Sequence, residues 1–207
     1  MLEDSDTPIG NGFMTPVREY LRRTTAACHD RVDAAFSAFD LATPHGYAAF
    51  LAAQSAALIP VEQAIEAAGI DDILPDWRER TRRSALWRDL ASLGRIPAPS
   101  VAVVPPDGPA AMIGMAYVLE GSRHGAAVLL RRVMAGPDPT LRTATDFLRH
   151  GVWGGLWDSF VIRLETFSHG EVNLARISDG ALAAFAAFER AATDRQPEEA
   201  DHVASGH

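Results

Sequence analysis

Gly114-Met-Ala-Tyr-Val-Leu-Glu-Gly121-Ser-Arg-His-Gly125 breaks an otherwise apolar helical stretch with three glycines. Their spacing of seven and then four places them on one side of a helix, and each costs roughly 1 kcal/mol relative to alanine in a helix interior. Glycines kept there at that cost imply that something approaches the backbone closely. Two occupants satisfy the requirement: another helix, or a flat ligand such as a porphyrin. The stretch lies in a central helix expected over Ala110 to Met134, ended by Gly136-Pro137.

Working outward, Thr15-Pro16 reads as an N-cap followed by proline, opening a helix to about Phe36 with Leu21, Thr25, Cys28, Val32 and Phe36 at intervals of three or four. Thr43-Pro44 opens an alanine-rich helix that bends at Pro60 and ends at Gly69. Trp77 to Leu93 reads as one helix carrying Arg78, Arg80, Arg82 and Arg83 on its polar side, and the proline-rich Gly94 to Pro109 as a loop. Further helical segments follow over Leu141 to His150, Trp157 to Phe167 and Val172 to Ala192, with a break at Gly151-Val-Trp-Gly-Gly155. Only Val101 to Val104 has a strand-like composition. The pattern predicts an all-α, single-domain fold of about seven to nine helices over residues 15–192, between acidic flexible tails at 1–14 and 193–207.

Composition narrows the chemistry. The net charge of -8 is mostly terminal, since residues 1–13 and 191–207 each contribute -3 and leave -2 for the rest. No long basic block marks a nucleic-acid surface. All 19 basic residues other than histidine are arginine, which excludes lysine Schiff-base chemistry and favours forked contacts to carboxylates. The single Cys28 excludes an internal disulfide and reads as a small, buried side chain. The longest apolar run, Ala110 to Leu119, is ten residues, against the roughly 18–20 that span a bilayer, so no membrane insertion and a cytoplasmic location are expected.

Among seven histidines, His29 has the most suggestive setting. It is expected on the face of Thr25, Val32 and Phe36 rather than on the charged side bearing Arg22 and Asp33. Such a histidine is a core residue or a ligand. No Glu-x-x-His pair supports a di-iron bundle, whereas one imidazole suits haem, whose porphyrin already supplies four nitrogens.

The segments Leu21-Arg-Arg-Thr-Thr-Ala-Ala-Cys-His29-Asp-Arg-Val-Asp33, Tyr117-Val-Leu-Glu-Gly-Ser-Arg-His-Gly-Ala126 and Trp157-Asp-Ser-Phe160 resemble, in order and spacing, the biliverdin-producing haem oxygenases, in particular the bacterial branch associated with bacteriophytochromes. The resemblance implies haem held between the first helix and a kinked distal helix, with His29 as axial metal ligand and Gly121, Ser122 and Gly125 lining the distal face. It implies opening of haem with O2 and an external electron donor, such as ferredoxin or a reductase, to biliverdin, Fe2+ and CO, with a bacteriophytochrome as an expected recipient. Arg22 and Arg123 are candidate propionate partners. Tyr117 supports the distal network or packs in the core. Trp153 and Trp157 are expected as packing residues. Two departures from the family pattern stand out: His124, where leucine is common, and Ala126, where a second glycine is common. They keep a haem-binding or sensing protein without turnover in view, beside a helical interaction protein without haem.

Overall fold

A computed structural model describes residues 16–151, 155–167 and 171–195. Nine α-helices and no strand occur among them: α1 (Pro16–Ser37), α2 (Pro44–Ala67), α3 (Trp77–Arg80), α4 (Arg83–Ser92), α5 (Pro109–Gly121), α6 (Arg123–Ala135), α7 (Asp146–Arg149), α8 (Leu156–Phe167) and α9 (Glu171–Thr193). Short 3-10 turns cover Ile70–Asp72 and Pro139–Thr143. Val101 to Val104 forms no strand; its anchor is the Val101 amide donating to the Ala56 carbonyl at 2.9 Å. Thr15, Trp153 and both expected tails lie outside the described residues, apart from the first part of the second tail, where α9 runs to Thr193.

Local chemistry explains the long helices. At the start of α2, the Thr43 hydroxyl accepts the Gly46 amide at 3.1 Å and Pro44 occupies the first turn, so an otherwise orphaned donor is satisfied. The helix continues through Pro60 and closes at Gly69, whose φ of 90° suits glycine. With a mean hydropathy of 1.3 over its best window, α2 is long and apolar enough to cross a membrane. The ten-residue run considered above underestimated it, because Gln54-Ser55 and Glu62-Gln63 split its apolar residues into shorter runs. Its Tyr47, Leu51, Leu58, Val61 and Ile65 are instead buried in the protein core.

Helix α9 organises the bundle by packing against α1, α2 and α5. Its crossing with α5 is made by two glycines facing opposite ways. A Cβ on Gly114 would collide with the Ile177 carbonyl, and one on Gly180 with the Ala111 carbonyl. Gly114 therefore serves a helix–helix contact rather than a ligand. That separates it from the other two glycines of the opening stretch.

Three expected helices are divided, among them Leu141 to His150, which splits between the 3-10 turn Pro139–Thr143 and α7. The segment from Trp77 breaks between α3 and α4, where the Arg82 backbone amide donates to Glu62 Oε1 at 2.7 Å. Arg80 and Arg82 point inward and are 2% and 3% exposed, so they do not share a polar face with Arg78. The central helix is interrupted at Ser122, between α5 and α6.

Candidate functional site

A cleft of about 440 Å³ opens between α1 and the α5–α6 bend, with α2 and α9 supplying its inner walls. Helix α1 contributes His29, Val32, Asp33 and Phe36; the bend contributes Val118, Ser122, Gly125, Leu129 and Arg132. Phe50, Phe185 and Phe188 make the interior apolar. The volume falls in the range of small-molecule sites, and its few polar groups are placed on opposing walls.

The His29 side chain is 58% exposed and its Nδ1 lies 3.2 Å from Asp33 Oδ2, while its ring meets the Phe185 ring edge at 5.9 Å. The i,i+4 spacing brings Asp33 to the same cleft, correcting the expectation that it belongs to the opposite side of α1. Thr25 instead turns into the core and donates to the Leu21 carbonyl at 2.8 Å. The Asp33 carboxylate stands beside Nδ1, and no described residue engages the other ring nitrogen, Nε2, which is open to a metal.

Across the cleft, Ser122 forms the bend. Its hydroxyl donates to the Leu119 carbonyl at 2.7 Å and accepts from Arg82 Nη2 at 2.7 Å, and the same Nη2 reaches the Leu119 carbonyl at 2.9 Å. A guanidinium thus completes the carbonyl end of α5, where the helix dipole favours positive charge. Burial and the neighbouring Arg123 pull the Arg82 guanidinium down to about 9, still cationic at neutral pH. Nothing lies within 4 Å of the position a Cβ would take on Gly125, which leaves its backbone open toward the cleft.

Gly121 faces elsewhere. Its missing Cβ would contact Trp157 at 3.8 Å, and Trp157 also meets the rings of Tyr117 at 5.9 Å and His124 at 4.8 Å. The Arg18 guanidinium covers Trp157 at 5.3 Å. Tyr117, Gly121 and His124 therefore belong to an aromatic cluster against α8, and none of them lines the cleft. Burial and Arg18 lower the pKa of His124 and favour its neutral form.

The arginine expectations also change. Arg123 is 5% exposed: it pairs with Glu120 at 2.9 Å and donates to the Arg80 carbonyl at 2.6 Å and the His150 carbonyl at 3.1 Å. Glu120 simultaneously pairs with Arg80 at 3.0 Å. These interior bonds withdraw Arg123 from any role at the cleft mouth. Arg22 is exposed on α1 and does not line the cleft. Arg132 does, seven residues after Gly125 on the same α6 face, as does Gln54, four after Phe50 on α2. Helical spacing from Gly125 pointed to Arg132 in the sequence; nothing local distinguished Gln54.

The sequence matches no known family profile and no curated protein. Its three-dimensional arrangement is similar to a heme oxygenase from Neisseria meningitidis, whose crystal structures were determined with NO and CO bound, at 25% identity and TM-score 0.69 over 90% of this chain and 98% of that one. A heme oxygenase from Leptospira interrogans matches at 17% identity and TM-score 0.66, over 87% of this chain and its own whole length. The fold is that of the haem oxygenases. Within it, the cleft offers one free imidazole nitrogen, apolar walls for a planar ring, an open backbone at Gly125 and a cation at Arg132. This donor set fits a single-imidazole haem site.

Proposed function

We propose that the protein is a haem oxygenase that opens haem with O2 and externally supplied electrons to biliverdin, ferrous iron and carbon monoxide. The observation that carries this reading is one cleft with His29 on α1 facing the Ser122–Gly125 backbone. Haem held there supplies both the oxygen-activating iron and the ring that is opened. His29 would hold its iron through Nε2, with the Asp33 carboxylate 3.2 Å from Nδ1 steadying the imidazole.

Gly125 leaves room on the distal wall, and the Ser122 hydroxyl is placed to anchor water there. Phe36, Phe50, Phe185 and Phe188 exclude bulk water from the ring. Arg132 supplies a fork suited to a propionate carboxylate at the mouth. A ferredoxin or reductase as donor, and a bacteriophytochrome as recipient of biliverdin, belong to this reading through the sequence resemblance alone.

The alternative of haem binding without turnover draws on Ala126, which is buried and does not line the cleft, and on His124 as a competing ligand. Its packing against Trp157 on the α8 side favours the catalytic reading instead. Titration of the purified protein with ferric haem, then reductant in air, tests the proposal: a single-imidazole spectrum should give way to biliverdin with release of CO. A stable haem complex under reductant would favour sensing, and no saturable haem binding would favour a protein-interaction role.

A further inference from the structure

One ring outside the cleft touches elements that carry both of its walls. Trp157, near the start of α8, meets the Tyr117 ring of α5 at 5.9 Å and the His124 ring of α6 at 4.8 Å. These two residues stand on either side of the interruption at Ser122. Between them, Trp157 lies 3.8 Å from the position a Cβ would take on Gly121. From α1, the Arg18 guanidinium comes to 5.3 Å from the Trp157 ring centroid, within cation–π range. His29 lies about three turns further along that same helix.

The tryptophan is itself held at its base. Arg80 donates through Nη1 to the Leu156 carbonyl at 2.8 Å and through Nη2 to the Ser159 hydroxyl at 2.7 Å, and its guanidinium is paired with Glu120 at 3.0 Å. The first turn of α8 is thus fastened to the buried charges beneath the bend. A bend with glycine at 121 and 125 has little preference of its own for one angle, because neither position carries a side chain to pack against the adjoining turn. On one side Ser122 is tied by Arg82. On the other, the bend rests on Trp157.

We propose that Trp157 is a positioning residue: by bearing on both arms of the bend and on Arg18, it sets how far the Ser122–Gly125 wall stands from His29. Without the ring, the two arms pivot about Ser122 and the cleft samples a range of widths. The consequence for a ligand rests on the haem reading above: Ser122 and Gly125 would no longer meet a distal ligand at one distance.

The width can be read without haem. Spin labels on Ala34→Cys of α1 and Arg131→Cys of α6, in a Cys28→Ser background, report it by pulsed electron paramagnetic resonance; both positions are exposed and neither lines the cleft. Trp157→Leu keeps apolar bulk but removes the ring, and should broaden the distance distribution at least twofold. Arg18→Gln removes only the cation on the ring and should broaden it to a smaller extent, so the proposal can be tested even if the first variant does not fold. Trp157→Phe restores a ring against Gly121 and should narrow the distribution again. In the ferrous CO complexes, the C–O stretching band should shift or split in Trp157→Leu and return in Trp157→Phe, a change that lost stability alone does not produce.

An unchanged distance distribution in a folded Trp157→Leu protein or in Arg18→Gln would overturn the proposal, as would an unmoved C–O band in Trp157→Leu. The distance measurement is made on the haem-free protein, so failure of the haem reading does not obscure it.

Discussion

His29 and the three glycines of the opening stretch separate ligand chemistry from packing one side chain at a time. His29→Ala removes an exposed group that makes one surface ion pair, so the apo protein should melt within about 0.5 kcal/mol of wild type. Its ferric-haem spectrum should lose imidazole ligation; an unchanged spectrum would reject the assignment. Gly114→Ala should cost about 3 kcal/mol, because backbone of α9 fills the space its methyl needs and cannot move aside cheaply. Gly125→Leu should show the opposite profile, with near-normal folding and obstructed haem or CO binding. Chemical denaturation and ligand titration of this pair test the two roles. His124→Leu should leave ferric ligation unchanged, and a bis-histidine resonance Raman signature present in wild type and lost in the variant would contradict the His124–Trp157 packing.

Between elements, buried charge holds the bend in place. Glu120 joins α5 to Arg80 of α3 and Arg123 of α6, and all three residues are at most 5% exposed. Glu120→Ala would leave two buried guanidiniums short of their counter-ion, an expected loss of about 3–5 kcal/mol measurable by urea denaturation. Asp89 connects α4 to α7 by accepting the Asp146 and Phe147 amides, and burial pushes its pKa up to about 6. The folded protein therefore binds this proton more tightly than the unfolded chain. The Asp89 contribution is fully present below about pH 4 and is lost as pH rises through 6, by ~3 kcal/mol in all. Asp89→Asn should remove that part of the pH dependence; melting curves of both proteins from pH 4 to 8 would reveal it, and parallel curves would refute it.

For the molecule as a whole, haem should act as a linkage ligand that joins helices distant in the chain. At free haem 100-fold above its dissociation constant, the folded state gains ~2.7 kcal/mol, or about 5–10 °C in melting temperature for a domain of this size. Scanning calorimetry with and without ferric haem checks this, and His29→Ala should show a smaller shift.

Much of this molecule is legible in its primary structure, because helices announce themselves by local periodicity, caps and breakers. The Thr43-Pro44 start and the Gly136-Pro137 stop follow from such signals, whereas the pairing of His29 with a Ser122–Gly125 wall is implied by the resemblance to the haem oxygenases. Periodicity assigns a residue to a face but says nothing of what that face meets. Gly114, Gly121 and Gly125 share one stripe, yet α9, Trp157 and the cleft are their separate neighbours. The arginines make the same point more strongly. Residues 78, 80, 82 and 83 read as a solvated run, but Arg80 and Arg82 are buried because Glu120, the Leu119 carbonyl and Ser122 approach from 37 to 40 positions away. Burial of a charge depends on partners brought by other helices, and only the packed fold supplies them.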